Sequence, residues 1–249
     1  ILGLAAGSFL NVLALRYREG GRIFTADVIS GRSRCPYCQK TLRWYELVPL
    51  FSFFIQLGRC RHCHHKLSWQ YPIVELLSGL AFVILPLVIE PAPLGILIVL
   101  TLMLITLIDL RLSVIPDQLN WFLVLLGLVP VFLPITIRQL ADQLLIAKVI
   151  GALFGLAFFG LIILLSRGRG MGLGDLKMAA ALGFLFAWPS IAVLVGLAFI
   201  LGGLWAAVIL LLGKKSLKDA VPFGPFLAIA GVLIIFFGEA ILNRYWPYF

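Results

Sequence analysis

Charge is scarce in this sequence. Asp, Glu, Lys and Arg make up 12% of its 249 residues, against roughly a quarter in soluble domains. With 62% hydrophobic residues, that scarcity excludes an ordinary soluble domain and implies an integral membrane protein. Acidic residues are scarcer still, 11 against 20 Lys and Arg, for a net charge of +9. In a soluble chain that excess would suggest nucleic acid. Here it reads as cytoplasmic loop charge, and no nucleic-acid partner is expected. The three histidines, His62, His64 and His65, crowd into one loop, so no Ser/His or Cys/His nucleophilic set competes elsewhere. No long internal repeat is visible, which gives no support to an inverted-repeat transporter. The run from Ile1 to Leu15 is too short for a full span. It is read as an incomplete first transmembrane helix, not a signal peptide.

The apolar residues fall into membrane-length blocks. A crossing helix needs about 20 of them. The expected fold is an all-α polytopic membrane protein of about eight transmembrane helices. After the run at 1–15, spans are placed near 73–89, 94–110, 119–137, 145–165, 176–188, 190–212 and 222–242. Residues 16–72 form the one long polar region. It holds 10 of the 20 Lys and Arg (Arg16, Arg18, Arg22, Arg32, Arg34, Lys40, Arg43, Arg59, Arg61 and Lys66), which places it in the cytoplasm. The apolar patch Leu47 to Leu57 inside it reads as the loop's own small core or a membrane-surface segment. Three domains are expected: the incomplete helix 1–15, a cytoplasmic loop domain 16–72, and a transmembrane domain 73–249. Alternating the spans puts Arg111, Arg167, Arg169, Lys177, Lys214, Lys215 and Lys218 inside, and Arg138, Lys148 and Arg244 outside. That bias supports eight spans with both ends outside. Arg138, Asp142, Lys148 and Asp219 read as solvated loop charge.

The stretch Gly170 to Met178, GMGLGDLKM, sets one carboxylate just after two closely spaced glycines. A carboxylate near bilayer depth is a functional candidate by default. Gly172 and Gly174 lack a Cβ, so another chain can come close to Asp175. A second carboxylate, Asp109, ends the third span. Two crossings separate it from Asp175, so both lie near one membrane face. Two aspartates at one site suit peptide hydrolysis: like charges share a proton, the ionised partner activates water and the protonated one donates to the scissile carbonyl. The plainer reading has Asp109 pairing with Arg111 or Arg167 and Asp175 capping a helix that starts at Leu176. Asp117, after Pro116, is a rival for the second role, with a stronger capping alternative.

Cys35-Pro-Tyr-Cys38 and Cys60-Arg-His-Cys63 have the spacing of two knuckles that supply four thiolates to one tetrahedral zinc. A cytoplasmic loop keeps its thiols reduced. A closed four-thiolate shell leaves no open position, so such a Zn2+ would be structural. A redox pair is the alternative. The histidines read as solvated, with spare ligands as the other possibility.

These motifs in order resemble a known family. Gly7-Ser-Phe-Leu-Asn-Val12, Ser33 to Cys38, Leu42-Arg-Trp-Tyr45, Gly58 to Cys63, Tyr71-Pro-Ile-Val-Glu-Leu76, Ile108-Asp109, Ile115-Pro-Asp117, Gly172 to Lys177 and Pro222-Phe-Gly-Pro-Phe226 together resemble the bacterial type IV prepilin peptidases. The resemblance implies an intramembrane aspartic protease of the Gly-x-Gly-Asp type, with Asp109 and Asp175 as its catalytic pair. Its substrates would be precursors of type IV pilins or type II secretion pseudopilins, cut at the cytoplasmic face of the cell (inner) membrane. The new N-terminal residue, usually Phe, would then be methylated from S-adenosyl-L-methionine. No glycine-rich fingerprint of the soluble methyltransferases is present, so no residue is assigned to that cofactor. A peptidase without methyltransferase activity, a proton-coupled transporter using the same aspartates, and a zinc-bearing scaffold are the alternatives.

Overall fold

The computed structural model describes residues 1–23, 25–132, 138–212 and 221–245. It is helical: α1 (Leu2–Arg16), α2 (Ala26–Ile29), α3 (Phe51–Ile55), α4 (Gln70–Val88), α5 (Ala92–Leu112), α6 (Asp117–Phe132), α7 (Arg138–Leu165), α8 (Leu173–Phe186), α9 (Ser190–Leu211) and α10 (Gly224–Tyr245). A 3-10 turn covers Trp44–Glu46. Within α4, α5, α7, α9 and α10 lie five segments long and apolar enough to cross a membrane. The polar loop expected at 213–219 lies outside the described residues, as do Phe24, 133–137 and 246–249.

The chain divides into two compact units, Ile1–Ile108 and Asp109–Phe249. In the first, α1 packs along α4 through small residues. Gly3 and Gly7 stand one helical turn apart. A Cβ on Gly3 would lie 2.8 Å from the Ser78 carbonyl oxygen, and one on Gly7 would collide with the Ser78 hydroxyl. The Ser78 hydroxyl donates to the Gly3 carbonyl at 2.6 Å. Close backbone approach of this kind suits helices in lipid, where dispersion contacts drive association. Glu75, also buried on this side of α4, accepts the backbone N–H of Leu50 at 2.8 Å. The other side of α4 (Ile73, Leu76, Leu77 and Leu80) is exposed and apolar.

In the second unit the same device joins α7 and α8. Gly151 and Gly155 on α7 face Gly183 and Ala179 on α8. A Cβ on Gly151 would collide with the Gly183 carbonyl, and one on Gly155 would lie 2.5 Å from that of Ala179. Lys148 departs from its expected place in a solvated loop. It lies inside α7, 3% exposed, and its Nζ donates to the carbonyls of Leu185 at 3.1 Å and Phe184 at 3.4 Å. These belong to the last turn of α8, whose carbonyls have no partner within the helix. At 14 residues, α8 is about 21 Å long, well short of the hydrocarbon thickness. The Lys148 amine supplies the donor that the helix itself lacks at its end.

Candidate active site and metal centre

Four helix ends build the site in the second unit. Helix α5 stops because Ser113 turns left-handed (φ 53°) and Pro116 follows. A residue before proline resists helical geometry, so α6 starts afresh at Asp117. Helix α8 begins after Gly172, and α10 begins at Gly224 with Pro225 in its first turn. Ile115 fixes two of these starts together. A Cβ on Gly174 would touch its side chain at 3.4 Å, and one on Gly224 would meet it at 3.1 Å. Lys177 on α8 bonds both oxygens of Asp117 on α6, at 2.8 and 2.9 Å, in the open. Asp117 is therefore occupied by an exposed ion pair.

Asp109, in the last turn of α5, is 3% exposed. Its Oδ2 accepts the buried backbone N–H of Gly224 at 3.1 Å. Asp175 is half-buried in the first turn of α8. Its Oδ2 accepts the N–H of Gly172 at 3.2 Å. The capping alternative is corrected: the helix starts at Leu173 and not at Leu176, Gly172 precedes it, and Asp175 bonds back to Gly172 from inside the first turn. Asp175 lies within electrostatic reach of Asp109. The positive ends of α8 and α10 face them, which favours negative charge there. Gly172 has ordinary extended backbone (φ −83°). Its lack of a side chain leaves open approach to Asp175 and is not needed for the turn.

Sequence reasoning overlooked Gly224. A Cβ there would lie 2.6 Å from Asp109 Oδ2, so only glycine fits while that hydrogen bond is kept. The sequence Pro222-Phe-Gly-Pro-Phe226 marks a helix start there but not the carboxylate that it meets.

The four cysteines, expected as one metal site, do meet. Their sulfurs all lie within 4.8 Å of one another, with Cys35 Sγ 3.9 Å from Cys63 Sγ. Tetrahedral zinc with bonds of about 2.3 Å sets its sulfurs about 3.8 Å apart, so the cluster fits such an ion. The two knuckles are built alike, 25 residues apart in the chain. Cys35 N–H bonds the Lys40 carbonyl as Cys60 N–H bonds that of His65, both at 3.0 Å. Gln39 and His64 take the matching left-handed turns, φ 58° and 57°. Burial pushes the Cys60 thiol up. The backbone N–H groups of Cys63 and His62 and the neighbouring sulfurs outweigh it and bring the thiol to about 7. For Cys63 the His65 N–H pulls down, but burial and the other three sulfurs prevail and hold it at about 11. The neighbouring sulfurs thus favour the thiolate at Cys60 and oppose it at Cys63, and a bound dication would favour it at both. Among the described residues the cluster includes no histidine. His62 instead stands 3.9 Å from Glu46, and His65 lies against Tyr37.

Two family models match the chain in order along its length. The Bacterial Peptidase A24 N-terminal domain matches residues 1–89, and the Type IV leader peptidase family matches residues 96–207. The chain is 30% identical to the prepilin leader peptidase/N-methyltransferase of Bacillus subtilis (strain 168), covering 98% of this chain and 95% of that protein. It is 31% identical to the protein of that name from Aeromonas hydrophila, over 98% and 91%. For that of Burkholderia pseudomallei (strain K96243) the figures are 32%, 96% and 84%. No solved structure matches the chain. With two family models in order along it and relatives matched over most of their length, the chain belongs to the type IV leader peptidase family.

Proposed function

We propose that this chain is an intramembrane aspartic endopeptidase and N-methyltransferase. It removes the leader of type IV prepilins or pseudopilins at the cytoplasmic face of the cell membrane and methylates the new N-terminal residue. What supports the peptidase half is that Asp109 and Asp175 lie within electrostatic reach of each other, each bonded to a glycine N–H where α8 or α10 begins. One carboxylate is ionised and takes a proton from water. The other is protonated and donates to the scissile carbonyl as the water oxygen attacks it. The tetrahedral adduct then collapses, the C–N bond breaks, and the leaving amine takes back a proton. Gly224 N–H holds Asp109 and Gly172 N–H holds Asp175, so neither carboxylate swings during the exchange. The open surface at Gly172 and Gly174 admits the substrate backbone.

In this reading α1 and α4 to α10 are the eight spans, with residues 16–72 in the cytoplasm and 73–249 forming the peptidase domain. Cys35, Cys38, Cys60 and Cys63 would hold a structural zinc, which supplies folding energy to the loop. S-adenosyl-L-methionine supplies the methyl group, and no residue of this chain is assigned to it. The test is cleavage and methylation of a prepilin-like peptide by purified chain in lipid nanodiscs, each followed by mass. Cleavage lost in Asp109→Asn and Asp175→Asn, with methylation of pre-cut peptide kept, supports the assignment.

A further inference from the structure

The short helix α3 has an apolar face that the first unit does not cover. Phe53 turns inward, where it is buried, packs on Trp69 at 5.1 Å and sits beneath Gly58. Phe51, Phe54 and Ile55 share the opposite side, by their spacing of three and four residues, and are 66%, 58% and 68% exposed. Leu57 follows at 85% exposed. The 3-10 turn packed against α3 adds exposed Trp44.

The position of this face decides what covers it. Leu50, the residue before α3, is bonded to Glu75. Glu75 lies in the second turn of α4, a candidate span. On that helix the exposed apolar stripe begins at Ile73 and runs through Leu76, Leu77 and Leu80, so the apolar surface already starts before the level of Glu75. The hydrogen bond therefore pins the start of α3 at the depth where α4 presents its apolar stripe. Arg43 precedes the turn, and Arg59 and Arg61 follow Leu57, all exposed. Apolar residues on one side, with aromatic and basic residues at the margins, are the composition of a segment lying in the membrane interface.

We propose that residues 44–57 lie in the membrane interface. Phe51, Phe54, Ile55 and Leu57 enter the acyl boundary, and Arg43, Arg59 and Arg61 meet anionic headgroups. The metal-bearing loop is thereby held down on the bilayer beside α4.

The experiment uses the full chain in nanodiscs, wild type against Phe54→Trp, so that the difference spectrum isolates position 54. Lipid brominated high on its acyl chains should quench that difference signal roughly twofold or more, while aqueous iodide has little effect. Quenching should be stronger with phosphatidylglycerol than without it. Adding Phe51→Ser and Ile55→Ser, both at exposed positions, should weaken the bromine quenching with no loss of metal content. A difference spectrum typical of wet tryptophan, quenched by iodide and indifferent to bromine, overturns the proposal. So does iodide quenching that only a prepilin-like peptide relieves, since the face would then belong to the substrate. None of these readouts is peptidase activity, so they stand or fall separately from the proposed function.

Discussion

Asp109 and Asp175 each take one backbone N–H from a glycine at a helix start, yet the two glycines differ in what they tolerate. A Cβ on Gly224 would stand 2.6 Å from Asp109 Oδ2, and one on Gly172 would stand 3.4 Å from Asp175 Oδ2. Gly224→Ala should therefore lower kcat for cleavage by about 100-fold, the low end of what a placed acid–base group contributes. Gly172→Ala should leave kcat within a few-fold and raise KM instead, because it keeps the carboxylate in place and narrows the approach to it. Steady-state kinetics on a prepilin-like peptide checks both. Asp117→Asn breaks only an exposed ion pair with Lys177, a kind worth about 0–1 kcal/mol, so its thermal midpoint and cleavage rate should scarcely change. The aspartates could be read in the sequence because each ends or starts an apolar block, and charge is rare there. Gly224 could not be read in the same way. Its constraint comes from a carboxylate 115 positions away in sequence, which no local pattern encodes.

Helix α8 shows how a short element is held against its neighbour. Its partner α7 comes close enough that a side chain at Gly151 or Gly155 would strike the α8 backbone. Lys148 then closes the last turn of α8. Gly155→Leu should separate the two helices and abolish cleavage by moving Asp175, with a large fall in yield of folded protein by size exclusion. Lys148→Met leaves two buried carbonyls without their donor, and such a loss costs about 1–3 kcal/mol. It should lower the thermal midpoint in detergent, and Lys148→Arg should restore part of it. A change that leaves Lys148→Met as stable as wild type would show that the amine contributes nothing there. The helices themselves were readable as hydropathy blocks, within a few residues for most. Helix α7 begins earlier than the block that signals it. A single lysine near the edge of an apolar run reads as loop charge, and only the end of α8 packed against it reveals its partner. The Gly151 and Gly155 spacing was present in the sequence as a small-residue contact motif, but its partner face was not.

At the scale of the whole chain, the two units use one construction: small residues bring helices together, and polar groups appear where a backbone end or a carboxylate must be satisfied. The cysteine pairs added their own signal, since spacing alone announced four ligands, and the structure gathers them. Purified chain should carry about one zinc per molecule, the stoichiometry of a single four-thiolate site. Cys60→Ser should lose it, and a chelator should expose the segment 34–67 to protease while the α7–α8 pair stays intact. The exposed face of α3 was only half readable: the apolar patch was evident, its level beside α4 was not, because that depends on Glu75 and Leu50 meeting across 25 residues.

The central claim is that Asp109 and Asp175 form one hydrolytic pair. The most direct measurement compares wild type, Asp109→Asn, Asp175→Asn and Asp117→Asn in nanodiscs, following cleavage of a prepilin-like peptide and methylation of the pre-cut peptide separately. The expected result is cleavage reduced at least about 100-fold in the first two variants, near wild-type cleavage in Asp117→Asn, and methylation retained in all. Cleavage that survives Asp109→Asn and fails in Asp117→Asn would contradict the pairing. A folded wild type that cleaves nothing would contradict the peptidase reading itself.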